Sequence, residues 1–155
     1  MQSQLEKLLS WIDLEAVSQD VWRGQTPGGT RRRLFGGHVA AQALMAAGRT
    51  VTDRAAHSLH VYFLRLGDPH TPIEYRVERL RDGRSYSARL VRAMQHGEEI
   101  LHASASFAEP EHAGFEHNVS APSVPPSAAA PTWDEWADPR VGQLSWGGRA
   151  QCVCN

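Results

Sequence analysis

Phe35-Gly36-Gly37-His38-Val39-Ala40-Ala41-Gln42-Ala43-Leu44 is the stretch on which the fold turns. Two glycines open it. After them Val39, Ala40, Ala41, Ala43, Leu44, Met45, Ala46 and Ala47 are apolar around nearly the whole helical circumference, and Gly48 follows as a stop. A helix that is apolar on every side must be enclosed, and its alanines let another backbone approach closely. The spacing predicts a buried helix over residues 38–47.

The sequence downstream supplies the enclosure. Leu59, Val61 and Phe63 alternate in one segment, Ile73, Tyr75 and Val77 in the next, and Tyr86, Ala88 and Leu90 in a third. A fourth runs from about Glu99 to Ala108 with Leu101, Ala103, Ala105 and Phe107 on one face; a period of two is that of half-buried strands. Asp82-Gly83 and His96-Gly97 separate the last three as short hairpin turns. A central helix followed by antiparallel strands is an α+β arrangement, and a hotdog fold, in which the sheet wraps the helix, is its most economical form. Upstream, Leu5, Leu8, Leu9 and Ile12 predict an amphipathic helix over about residues 3–12, capped at Ser3 or Ser10, whose stripe packs on the sheet. Val21-Trp22-Arg23-Gly24 reads as a short strand before a Pro27-Gly28-Gly29-Thr30 turn.

The whole chain bounds these readings. At 155 residues, 41% hydrophobic and 21% charged, it has the size of one domain with an apolar core. Sixteen basic against seventeen acidic residues give a net charge of -1, which leaves no field for nonspecific nucleic-acid or anionic-membrane binding. The N-terminus lacks a signal-peptide core and no run is long enough to cross a bilayer, so a cytoplasmic protein without membrane insertion is expected. Cys152 and Cys154 are too few ligands for a zinc site, no metal is expected, and the Asn118-Val119-Ser120 sequon reads as a chance match. From about Pro110 the texture turns Pro-, Ser- and Ala-rich. This divides the chain into a hotdog domain at 1–118 and a linker and tail at 119–155, from which Trp133 and Trp136 could dock back.

Gly36 and Gly37 precede the helix where backbone amides lack intrahelical acceptors and the dipole favours negative charge. Such a start can hold a thioester carbonyl as it develops oxyanion character, or simply let the chain turn tightly into a crowded helix. His38 could donate to the same oxygen or cap the turn. His57 and His60 fall on opposite faces of a regular strand. Neither has a nucleophile beside it, so hydrolysis needs an Asp or Glu to activate water; Glu15, Asp20, Asp68 and Asp82 are available and none is singled out. Arg65 and the Arg81-Asp82-Gly83-Arg84-Ser85 turn place cations where they can meet the phosphates of a nucleotide-like carrier or remain solvated strand ends, and Arg31-Arg32-Arg33 is a second phosphate candidate.

The chain resembles the acyl-CoA thioesterase II family over about residues 3–118. The resemblance is carried, in order, by Trp22-Arg23-Gly24-Gln25, Phe35-Gly36-Gly37-His38 with Gln42-Ala43-Leu44, and His57-Ser58-Leu59-His60 followed by Tyr62-Phe63-Leu64-Arg65. Arg81-Asp82-Gly83-Arg84-Ser85-Tyr86-Ser87-Ala88-Arg89 and Ala103-Ser104-Ala105-Ser106-Phe107 continue it. It implies one repeat of an enzyme that normally fuses two hotdog repeats and cleaves acyl-CoA to a fatty acid and CoA, the CoA being part of the substrate and no cofactor being needed. By the same resemblance His57, Gly37 and His38 belong to the catalytic region, and Arg65, Arg81, Gly83, Arg84 and Ser85 lie near a CoA-binding surface. His38 stands where many relatives have Gln. The water-activating Asp of the family, assisted by Ser or Thr and Gln, comes from the second repeat.

Three readings follow: an acyl-CoA thioesterase represented by its amino-terminal part, a noncatalytic acyl-CoA-binding module, and a truncated product. In the first the partner is the missing second repeat. In the second a further copy of the chain replaces that repeat in a homo-oligomer.

Overall fold

The computed structural model describes residues 3–26, 28, 33–109 and 117–130. The expected turn at 27–30 lies largely outside the described residues, as do Arg31, Arg32, Trp133, Trp136, Cys152 and Cys154. The chain divides into two units, Met1–Gly114 and Phe115–Asn155. In the second, the described residues are exposed and hold one short 3-10 turn, Ser127–Ala129.

The first unit carries α1 (Gln4–Ile12), β1 (Leu14–Ser18), β2 (Val21–Gly24), α2 (Gly36–Gly48), β3 (Ala55–Phe63), β4 (Ile73–Asp82), β5 (Tyr86–Gln95) and β6 (Glu98–Ala108). The strands form one six-stranded sheet in the order β1-β2-β4-β5-β6-β3, every neighbouring pair antiparallel. Val39, Ala43, Ala46 and Ala47 of α2 are buried with Ile73, Tyr75, Val91, Leu101, Ala103 and Phe107 of the sheet. This is the α+β hotdog arrangement expected from the apolar helix and the strands that follow it. The helix begins two residues before the predicted start, so both glycines lie in its first turn. His96 and Gly97 both take positive φ, 50° and 79°, and make a two-residue hairpin between β5 and β6.

The first helix forms for the expected reason. Ser3 Oγ accepts from the Glu6 amide at 3.1 Å, and the Glu6 carboxylate accepts from the Ser3 amide at 2.8 Å, a reciprocal capping box. Its packing differs from the expectation: α1 lies against α2, not on the sheet, and Leu5, Leu8 and Leu9 stay at least half exposed. The sheet face that the stripe was expected to cover is already filled by α2.

In β5 the phase of burial is inverted relative to the Tyr86, Ala88, Leu90 expectation. Ser87, Arg89, Val91, Ala93 and Gln95 face the core, while Tyr86 is exposed and Ala88 and Leu90 are half-buried. The physical reason is Arg89, whose side chain is 1% exposed yet fully hydrogen-bonded. A buried cation is tolerated when every donor finds an acceptor.

Candidate active site

At the start of α2, Phe35 occupies the N-cap with no side-chain hydrogen bond to the helix. The His38 amide reaches the Phe35 carbonyl at 3.0 Å, whereas the Gly36 and Gly37 amides find no acceptor among the described residues. Both glycines also sit close against exposed aromatic rings. A Cβ on Gly36 would lie 2.8 Å from the Phe63 ring, and one on Gly37 would lie 2.5 Å from the Phe35 ring.

His38 is committed in a way its sequence position does not show. Its Nε2 lies 3.1 Å from the Gln25 carbonyl. A carbonyl only accepts, so His38 donates there through Nε2–H, and that nitrogen is not free for a ligand. The same carbonyl accepts from Gln42 Nε2 at 3.0 Å.

Gln42 is the polar residue in the otherwise apolar face of α2, and it is fully buried. Its amide nitrogen also donates to the Trp11 carbonyl at 2.6 Å, and its Oε1 accepts from the Tyr75 hydroxyl at 2.8 Å. Burial pushes the Tyr75 phenol well above its ordinary range, so it stays a donor. This network ties α1, β2 and β4 to the helix beside the glycine start. Gly24 is essential to it, because a Cβ there would sit 2.3 Å from Gln42 Oε1.

His57 sits elsewhere. The β3–β6 register slips between Ala56 and Ser58, so His57 is the bulged residue and its Nε2 lies 2.8 Å from Ser106 Oγ. Ser106 points away from α2, since its neighbours Ala105 and Phe107 are the buried residues of β6. His60 lies opposite Ser104 with its ring against Tyr62, 4.7 Å between centroids. The bulge thus puts both histidines on the face away from α2, correcting the expectation of opposite faces. The Tyr86 ring packs edge-on to His57 at 5.8 Å.

The remaining candidates fall at two ends of the sheet. Arg65 donates to the Glu99 carbonyl at 2.8 Å, beside the Phe63 end of β3 and the start of α2. The Arg81–Ser85 turn lies at the other end, where Tyr86 pairs with Ala108 and Ala108 with Ala55. From Tyr86 to Met94 along β5 the separation is about 27 Å at ordinary strand rise. Gly37, His38 and Arg65 therefore share one end; His57, Arg81, Gly83, Arg84 and Ser85 share the other.

No expected acid stands beside either histidine. Glu15 lies 3.7 Å from Arg23, and Asp20 takes two bonds from Arg79 at 2.8 and 2.9 Å. Asp68 accepts from the His70 amide and the Thr71 hydroxyl, which, with His96, hold its carboxyl down at about 2. Arg89, then Ser87, hold Asp82 below the usual carboxylate range. Among the described residues, no group of three His, Cys, Asp or Glu side chains could hold a metal ion.

Arg54 was not picked out by sequence reasoning, and Arg89 and Gln42 entered only as residues of the resemblance, with no role assigned. A charged residue in phase with Val91 and Ala93, and a lone amide within an apolar helix, are the signals that mark the last two.

Acyl-coenzyme A thioesterase 8 of Mus musculus is 46% identical over 121 residues, covering 76% of this chain and 37% of the relative. Acyl-CoA thioesterase 2 of Haemophilus influenzae is 45% identical over 125 residues, 80% of this chain and 43% of the relative. A crystal structure of the acyl-CoA thioesterase II TesB2 from Mycobacterium marinum superposes with a TM-score of 0.69 at 43% identity, covering 77% of this chain and 44% of that one. The chain spans less than half the length of these relatives. Residues 25–108 match the family described as acyl-CoA thioesterase N-terminal domain, and the chain belongs to that family.

Proposed function

We propose that this chain supplies the amino-terminal half of an acyl-CoA thioesterase site, one that releases a fatty acid and free CoA once a second hotdog repeat completes it. The observation that carries the reading is the uncapped start of α2, where the Gly36 and Gly37 amides are open beside Phe63 in a chain of this family. Two amides at a helix N-terminus are donors suited to a carbonyl oxygen that gains negative charge. Arg65 lies at the same end, while the Arg81–Ser85 turn suits the phosphates of CoA at the other. A ligand using both groups must be long or must cross between two repeats.

The edge of β3 supports a requirement for a second repeat. This strand pairs with β6 alone among the described residues, and Leu59, Tyr62 and Phe63 on it are 39%, 59% and 60% exposed. An open apolar edge favours pairing with another strand, either from a second repeat or from a second copy of this chain.

One observation favours the second reading, an acyl-CoA-binding module without catalysis. Every acid expected from the sequence is engaged elsewhere, so none of these four is poised to activate water. Incubation of the purified chain with a medium-chain acyl-CoA, following free-thiol release together with mass in solution, separates the two. Release by a dimer that a Gly37→Val change abolishes supports a self-completed site; release only when a separately expressed second repeat is added supports the half-site; binding with no release in either case supports the module; neither binding nor release with the second repeat present overturns both.

A further inference from the structure

We propose that Arg54 and Arg89 are positioning residues of a phosphate-binding turn: they grip the carbonyl oxygens of Arg81, Gly83 and Arg84, and so hold the turn with the Arg81 and Arg84 guanidinium groups free for the phosphorylated end of CoA. The inference rests on the assignment of that turn to CoA and adds two residues that lie outside it.

Arg89 reaches the turn from within the core. Its Nη1 donates to the Arg81 carbonyl at 3.0 Å and the Ala88 carbonyl at 2.9 Å, and its Nη2 donates to Asp82 Oδ1 at 2.7 Å. On the other side it holds Thr50, through Nε to Oγ1 at 2.7 Å and Nη2 to the carbonyl at 3.0 Å. Arg54, in the connection that leads from α2 to β3, donates through Nη2 to the Gly83 and Arg84 carbonyls, both at 2.7 Å, and through Nη1 to Ser87 Oγ. Two planar forks therefore tie the end of α2 to the turn at several points, a task that one ammonium group could not perform.

The grip has an electrostatic consequence. Free carbonyl oxygens in a turn repel an approaching anion, and here three of them are covered by cations. Four guanidinium groups, those of Arg54, Arg81, Arg84 and Arg89, stand against the carboxylate of Asp82 and that of Glu109, whose amide donates to the Ser85 carbonyl at 3.3 Å. The Asp82 carboxylate is occupied by Arg89 and by the Ser87 hydroxyl at 2.8 Å. Arg81 and Arg84 are exposed and have no acceptor among the described residues. Gly83 keeps Arg81 close: a Cβ there would lie 3.3 Å from Arg81 Nε and 3.2 Å from the Tyr86 carbonyl. The result is an excess of fixed positive charge on a braced backbone, the arrangement that binds a multiply charged phosphate with least ordering cost.

Calorimetric titration of the full chain with S-octyl coenzyme A, a nonhydrolysable thioether, and with S-octyl pantetheine, which lacks both the phosphates and the adenosine of that ligand, tests the role. Arg54 is half-buried and is the residue to change; Arg89 variants are reserved for stability. Arg54→Ala is expected to weaken S-octyl coenzyme A about tenfold, as does the double change Arg81→Ala/Arg84→Ala, with S-octyl pantetheine unaffected. Arg54→Lys is expected to behave like Arg54→Ala. If only the double change weakens the coenzyme A ligand, the positioning role is overturned while the turn keeps its assignment. Equal weakening of both ligands by Arg54→Ala also overturns it. If neither variant discriminates between the ligands, the assignment of the turn fails and this inference with it; if the wild-type chain binds neither, the functional reading itself falls.

Discussion

His57 Nε2 lies 2.8 Å from Ser106 Oγ across a bulge in β3, on the sheet face turned away from α2. Within one repeat His57 is therefore separated from the Gly36-Gly37 start by both the length of the strand and the thickness of the sheet. An exposed hydrogen bond of this kind contributes little to folding. His57→Ala and Ser106→Ala are expected each to change stability by no more than about 1 kcal/mol, with a coupling of about 0.5 kcal/mol in the double variant. Urea denaturation of the four proteins measures this; a cost of several kcal/mol for His57→Ala would show that it packs as a core residue.

Arg89 is expected to be the most costly single arginine to remove. Arg89→Met leaves the carbonyls of Thr50, Arg81 and Ala88 and the Asp82 carboxylate short of a donor, at about 3–5 kcal/mol. Arg84→Met, at an exposed and unpaired position, should stay within about 0.5 kcal/mol of the wild type. The difference in urea midpoint between these two variants decides whether the buried guanidinium holds the fold together.

Two glycines give opposite expectations. Gly24→Ala drives a Cβ into Gln42 Oε1 and disturbs the bond from Tyr75, so a loss of about 1–3 kcal/mol is expected. Gly48, at the end of α2, has only the Phe107 ring at 3.8 Å, an ordinary contact. Gly48→Ala should be neutral or stabilising by up to about 1 kcal/mol, because alanine restricts the unfolded chain more than glycine does. Thermal midpoints of the two variants measured side by side test the pair.

Acid should loosen the loop between β3 and β4. Asp68 is held at about 2 against an ordinary 3.8, first by the His70 amide and then by the Thr71 hydroxyl and His96. Its folded form takes up a proton less readily than its unfolded form, so the stabilisation is fully present above pH 4 and is lost as the pH falls toward 2. Asp68→Asn should flatten the fall in melting temperature over that window. An unchanged slope would mean that Asp68 does not couple to folding.

Much of the fold was legible because its signals are local. The capping box at Ser3 and Glu6, the apolar run after Gly37, the alternation in β4 and β6 and the His96-Gly97 turn each depend on a few neighbouring residues. Gly36 and Gly37 could be marked as a candidate site for the same reason, since a helix start exposes its amides wherever it lies. β5 was read in the wrong phase because Tyr86, Ala88 and Leu90 look like a core face until Arg89 is seen to have acceptors on two other elements.

A buried helix wrapped by antiparallel strands could be read from residue order alone, because apolar periodicity follows directly from backbone geometry. Three features emerge only in the folded chain: the direction His57 faces, the bond of His38 to the Gln25 carbonyl, and the meeting of Arg54 and Arg89 at one turn. Arg89 reaches the turn from 7 or 8 positions away, and the others depend on partners 13 to 49 positions away or on one extra residue in a strand register. A bulge reverses side-chain direction without altering the composition around it, and a buried cation becomes stable only when distant carbonyls converge on it.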